Sequence, residues 1–411
     1  MTTSSPAPAP SRHALTFVFL TVLIDSIGFG ITVPVMPQLI VGLDGGGLDE
    51  AVVTAGWLLA VYAVMQVFFG PLMGNLSDRF GRRPVLLLSL AAFGVDYLLM
   101  AFAPSLVWLF IGRAVAGMAG AIYGPANAFI ADITPPEKRA RNFGLIGAAF
   151  GAGFILGPAL GGLLAEFGPR APFFAAAALA LVNTVYGFIV LPETLPPERR
   201  RTFSWRRANP LGALKSVGRV RASAMLVAAL FLWMLAGQVY PATWSFFAAI
   251  RFGWSPAEIG LSLAFVGATM IIVQVFVVGR AVEVLGERRA ILVGMGSGAL
   301  AFMGCALATS GWMVYPVFLI SALSGLAYPA LNAILSSTTP EDEQGELQGA
   351  LAAVASLGEI IGPLLMAQTL GFFSSPATPV YFPGAAFVVA TGLTLGAIAI
   401  VLFRTRDAKP T

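Results

Sequence analysis

Four charged side chains stand alone inside long apolar runs of this sequence: Asp25 in VLIDSIGFG, Asp96 in FGVDYLLM, Arg113 in FIGRAVAG and Glu359 in ASLGEIIGP. Placing such a residue at the centre of a membrane helix costs roughly 2.5–3.5 kcal/mol, so each is expected to serve a function that offsets this. A carboxyl can take up and release a proton, whereas a guanidinium stays charged. Asp25 falls about 11 residues into its run, hence roughly 16 Å deep at 1.5 Å per residue. An acid at that depth suits a proton carrier. Asp96 reads the same way, with a structural pair to Arg113 as the alternative. Arg113 either modulates a carboxylate or fixes its helix through hydrogen bonds, and Glu359 is a proton or cation site or else a structural acid.

A second concentration of charge lies in GNLSDRFGRRPV, residues 74–85, where Asp78, Arg79, Arg82 and Arg83 crowd together between uncharged flanks. A tight turn between two membrane helices must hold its charges in water, while a small residue such as Gly74 lets neighbouring backbones approach. A carboxylate beside an arginine at a helix end can also dock on a helix N-terminus of a partner bundle and hold one side shut. Asp78 and Arg82 are therefore gating candidates.

These residues need a scaffold, and the composition says which. The chain has 411 residues, of which 57% are hydrophobic and 11% charged, and its mean hydropathy is +0.84. Such a chain is a membrane protein. About twelve runs reach the length of roughly 20 residues that a bilayer needs: 14–40, 52–75, 84–102, 105–131, 142–165, 171–191, 222–249, 257–279, 290–309, 312–336, 347–371 and 381–403. The expected plan is all-α and polytopic. It comprises a tail at 1–13, a six-helix bundle at 14–191, a linker at 192–221, a second bundle at 222–404 and a tail at 405–411. With the N-terminus inside, 21 of the 24 Lys and Arg fall on the cytoplasmic side, which places both termini there. The basic linker is a topology signal rather than a nucleic-acid site. The only His is His13 and the only Cys is Cys305. No His/Cys metal set or Cys–His pair follows, no cofactor is expected, and an enzyme is disfavoured.

Shifting the sequence on itself by 205 residues pairs Gly74 with Gly279, Asp78 with Glu283, Gly81 with Gly286, Gly153 with Gly358, Gly157 with Gly362 and Pro158 with Pro363. Two parallel six-helix halves around a central cavity are the plan of transporters that rock one bundle against the other. Glu283 thus joins the gating candidates. The intramembrane charges do not repeat, so the scaffold is duplicated while its chemistry is weighted to the first half. In GAGFILGPALGG, Gly153 and Gly157 have the spacing for close helix contact, and Pro158 adds a kink or hinge.

GNLSDRFGRRP resembles the signature of the major facilitator superfamily. VLIDSIGFGITVPVMPQL, FGVDYLLMAFAP, FIGRAVAGMAGA, FIADITPPEKRARNFG, GAGFILGPALGG, LGERRA and QGELQGALAAVASL resemble stretches of its tetracycline–proton antiporters. The resemblance implies that Asp132 joins Asp78 and Arg82 in a cytoplasmic charge relay, that Asp25 serves proton coupling, and that the Gly-Pro at 157–158 marks a drug antiporter. It also implies a His in the eighth helix and an Asp in the ninth, where this chain has Met270 and Gly298, and a small polar residue where it has Glu359. That departure fits a cationic or amphipathic compound better than a magnesium-chelated tetracycline. Gln238, Trp244, Met270, Gln274 and Asn332 are the candidates for the cavity wall.

The function expected from these features is proton-coupled export of an amphipathic, tetracycline-like or multidrug substrate from the cytoplasm of a bacterium, across its inner membrane, by a monomer. The proton gradient supplies the energy. The alternative is a proton-coupled importer or exporter of a metabolite on the same fold.

Overall fold

The computed structural model describes residues 12–121, 123–204 and 224–406. Most of the two expected tails and linker residues 205–223 lie outside this set. The described elements are all helical, and twelve are long and apolar enough to cross a membrane. They are α1 (Thr16–Asp44), α2 (Leu48–Phe80), α3 (Arg82–Ala101), α4 (Leu106–Ile133), α5 (Gly144–Phe167), α6 (Ala171–Val190), α7 (Ala224–Phe252), α8 (Pro256–Phe276), α9 (Glu287–Leu307), α10 (Gly311–Ser337), α11 (Glu341–Ser374) and α12 (Ala385–Phe403).

Several helices outrun their apolar cores, because a helix can continue into water once its charges suit its dipole. α2 begins with Asp49 and Glu50 in its first turn and carries Arg79 in its last. It stops at Gly81, whose φ of 104° is open to glycine but strained for any side chain. Gly286, its repeat partner, does the same between α8 and α9 with φ 75°.

The repeat extends to the places where helices break. A 3-10 turn at Val33–Val35 interrupts α1, and at the position 205 residues later α7 divides at Gln238 between Ala224–Gly237 and Val239–Phe252. α4 is interrupted after Gly120 and α10 by a 3-10 turn at Leu323–Leu326. Discontinuous helices at matching positions free backbone groups that can only be tolerated where protein or a cavity surrounds them.

Packing reveals which way the molecule is open. On the side away from the chain termini one hydrophobic core joins the halves, with Ile40 and Leu58 from the first and Trp244 and Met366 from the second. On the side of the termini the cores of the described residues stay within their own halves. Phe17, Phe129 and Leu191 pack in one, and Leu230, Met295 and Leu335 in the other.

Two helix pairs make the seal. Gly56 of α2 faces α11, where an added Cβ would lie 2.6 Å from Ala367 and 3.1 Å from the Pro363 carbonyl. In the other pair, a Cβ on Gly162 of α5 would lie 2.6 Å from the carbonyl of Pro256 in α8, and Gly260 of α8 packs on the Pro158 carbonyl. The conformation is sealed away from the termini and parted beside them.

Candidate functional site

Asp25 belongs to the face of α1 that meets α6. Asn183 of α6 is completely buried and donates from Nδ2 to Asp25 Oδ1 at 3.3 Å. Its other end is fixed as well: the Thr21 hydroxyl donates to Asn183 Oδ1 at 3.2 Å, and Nδ2 reaches the Thr21 carbonyl at 3.4 Å. The Thr21 carbonyl can only accept, so it fixes which way the amide points, and an N–H rather than a carbonyl faces the carboxyl. Asp25 forms no ion pair among the described residues, and its side chain is only partly buried. It is therefore an oriented acid without a counter-charge.

Asp96 of α3 is different. It is fully buried and accepts from Arg113 Nη2 of α4 at 2.7 Å. Gly112 makes the approach possible, since a Cβ there would lie 2.7 Å from Asp96 Oδ1. The guanidinium also lies 5.9 Å from the ring centroid of Tyr62 in α2. The pairing named as the structural alternative is present, and it ties α3 to α4 beside Tyr62 of α2. Its neighbour Tyr97 packs on Gly28, one turn beyond Asp25, with the hydroxyl 3.2 Å from where a Cβ would stand.

Gly153 and Gly157 let α5 lie directly on α1: added Cβ atoms would come within 2.7 Å of the Leu23 and Ile27 carbonyl oxygens, respectively. Pro158 sits inside a continuous helix, Arg139–Leu164, and occupies the space that Gly30 leaves. This stripe is a packing surface between two helices of one half, and through Pro158 and Gly260 it continues into the other half.

On the parted side, Arg82 brings together Asp78, at 2.7 Å, and Asp132, whose Oδ2 is 3.6 Å from Arg82 Nε. In this conformation Asp78 therefore pairs within its own half and not with the partner bundle. Glu283 is exposed and forms no ion pair among the described residues. A Cβ on Gly74 would meet nothing within 4 Å, so the close approach expected of this glycine is not made here.

The start of the linker lies along the same turn. Glu193 accepts from the backbone N–H groups of Arg82 and Arg83, at 2.9 and 3.3 Å, and so caps the N-terminus of α3. Thr194 donates to Asp132, the Arg201 N–H donates to the Asp78 carbonyl, and Asn75 both donates to and accepts from the Ser204 backbone.

In the second half, Trp244 lies in the core and not at the cavity wall that the sequence suggests for it, and it is 2% exposed. Phe247, Trp254, Phe318 and Phe387 surround it at ring-centroid distances of 5.0–6.4 Å. Its indole N–H is satisfied by Ser262 Oγ at 2.9 Å, so it is a core residue with a partner for its polar tip.

Gln238 sits at the break in α7, partly buried against Gly362 of α11. Met270 and Gln274 are exposed on α8, and Gln274 lies beside Gly325 of α10. Asn332 has a buried amide oxygen with no hydrogen-bond partner. Glu359 is exposed on α11 within the span.

The sequence profile described as Major Facilitator Superfamily matches residues 18–363 and also 239–411. The chain belongs to that superfamily. It is 43% identical over 385 residues to the tetracycline resistance protein, class C, of Escherichia coli, covering 94% of this chain and 95% of that protein. It is also 43% identical over 353 residues to the class G protein of Vibrio anguillarum, covering 86% and 89%. In fold it is similar to the solved nucleoside transporter NupG, with a TM-score of 0.78 at 12% identity, covering 96% of this chain and all of that one. This superfamily member is a multi-pass membrane transporter, not an enzyme.

Asn183 and Glu193 went unrecognised in the sequence. The signal for Asn183 is a lone amide in the apolar run AAAALALVNTVYGF, and intramembrane polar residues tend to bond across helices. Glu193 carried no signal, since an acid just after a membrane span is ordinary.

Proposed function

We propose that this transporter exports amphipathic drug-like compounds from the cytoplasm in exchange for protons by alternating access. The observation that carries the reading is Asp25, a membrane-embedded carboxyl that is oriented by Asn183 and has no counter-charge among the described residues. Close relatives named for tetracycline resistance support drugs as the substrate.

The Lys and Arg bias supports cytoplasmic termini, so in a bacterial inner membrane the parted side faces the compartment from which a drug would enter. Asp25 takes up the proton once the molecule opens outward and gives it up in the state described. Asp96, already neutralised by Arg113, is a structural bolt in this scheme. The charged cluster of Asp78, Arg82 and Asp132, with the linker laid on it, must rearrange before the halves can meet on the cytoplasmic side. Gating resides there.

Chemiosmotic energy suffices for the task. One proton crossing ~100 mV supplies about 2.3 kcal/mol, and a one-unit pH difference adds about 1.4 kcal/mol. Together they hold a several-hundredfold gradient of a neutral substrate. The protein acts as a monomer with no cofactor beyond this gradient. The experiment is efflux from a pump-deficient bacterium expressing the chain, measured across drug classes including tetracyclines. Efflux that stops when the proton gradient is collapsed supports antiport, and accumulation that ignores the gradient removes it.

A further inference from the structure

α11 meets its neighbours on separate stripes. Gly358 and Gly362 point at α7, towards Met234 and Gln238, whereas Pro363, Ala367 and Gly371 point at α2, the last lying 2.7 Å, by an added Cβ, from the Asp49 carbonyl. At 100° per residue, Met366 and Leu370 project between those two directions. Both are completely buried where the halves are sealed. Glu359 and Ala352 project the same way about two and about four turns from Met366 toward the termini, and both are exposed. One face of one helix therefore passes from sealed core to open space just below Pro363. Glu359 stands at the vertex where the two halves part, facing the gap and not the lipid.

Its depth follows from the repeat. The offset of 205 maps Pro363 onto Pro158 and Glu359 onto Phe154, and Gly153 beside Phe154 packs on Ser26, the neighbour of Asp25. The two acids therefore lie at one level, in opposite halves. Their surroundings differ: Asp25 is held by Asn183, while Glu359 has no hydrogen bond or ion pair among the described residues. Among the described residues no free cation stands at this level either, since Arg113 is committed to Asp96.

We infer that Glu359 is the recognition point for a positively charged group on the substrate, and that the transported class is amphipathic organic cations. The inference rests on the export reading above and adds to it the charge of the cargo. The division of labour is physical. An acid oriented by its own protein suits a proton, whereas an unpartnered acid at the apex of an apolar wedge leaves its charge to be matched by a ligand whose hydrophobic body fills the gap.

The test uses the purified full chain in nanodiscs and two probes of nearly the same shape and opposite charge, tetraphenylphosphonium and tetraphenylborate. The wild type is expected to bind the cation more tightly. Glu359→Gln should weaken the cation by about tenfold or more, the loss of one close charge pair, without weakening the anion. Glu359→Asp should keep the preference, which separates charge from folding.

Equal affinity of the wild type for both probes would overturn the inference. So would a Glu359→Gln variant that keeps its preference, or one that loses both probes alike. Proton-driven uptake in proteoliposomes is read separately. Its absence beside a Glu359-dependent cation preference would remove the antiport reading and leave the cation site standing.

Discussion

Replacing Asp96 by Asn removes one charge and almost no volume, and so isolates what the Asp96–Arg113 pair contributes. The carboxyl is completely buried and the arginine side chain is 10% exposed, with 2.7 Å between the bonded atoms. Coulomb's law at an effective dielectric constant near 20 gives roughly 4–5 kcal/mol for charges about 3.5–4 Å apart. Desolvation has already been spent on both ions. Removing one partner leaves Arg113 charged, unable to deprotonate and with its Nε already lacking a partner. The expected destabilisation is about 3–5 kcal/mol, as for other broken buried pairs.

Removing both charges, with Asp96→Asn and Arg113→Met together, should recover most of that loss, because no unpaired ion remains. Thermal unfolding in detergent and proton-driven transport in proteoliposomes are measured on the wild type, the single and the double variant. The reasoning predicts a damaged single variant and a double variant that is both stable and coupled. A stable double variant that has lost proton coupling would return Asp96 to the proton pathway, and an unperturbed single variant would show the pair to be dispensable.

Three further outcomes follow from the geometry. Asn183→Ala removes bonds worth about 0.6 kcal/mol each between membrane helices, so stability should fall by only about 1–2 kcal/mol while the pH profile of transport shifts; an unshifted profile means that Asn183 does not orient Asp25. Gly157→Val should cost about 1–3 kcal/mol by overpacking, because a Cβ there would meet backbone atoms of Ile27 and Gly30 within 2.7–3.1 Å; an unchanged unfolding temperature contradicts this. Asp78→Asn should slow turnover while substrate affinity holds, since the residue lies on the parted rim, and equal loss of both would assign Asp78 to folding.

The twelve spans and the duplication could be read from the sequence because a bilayer demands apolarity along every helix, and a fixed offset preserves the glycines at which helices touch. Which face of each helix looks into the cavity could not be read. Lipid and packed protein are equally apolar, so Trp244 looked like a cavity residue and proved to be core, and nothing in the local pattern set Glu359 apart from Asp96. The partners of Asp25, Asp96 and Asp78 lie 158, 17 and 4 residues away. Only the last is visible as helix spacing. Asp78 presents a different obstacle, since the contact expected of it with the other half requires the parted side to be closed, and here it pairs within its own half.

The most direct test of proton-coupled export through Asp25 compares two modes of transport in one reconstituted preparation of Asp25→Asn, which keeps the shape of the side chain and removes its titration. Substrate exchange across a membrane without a gradient needs only alternating access, whereas uphill movement needs the proton. The account predicts that exchange persists and gradient-driven accumulation vanishes. Gradient-driven accumulation that survives in Asp25→Asn would contradict it.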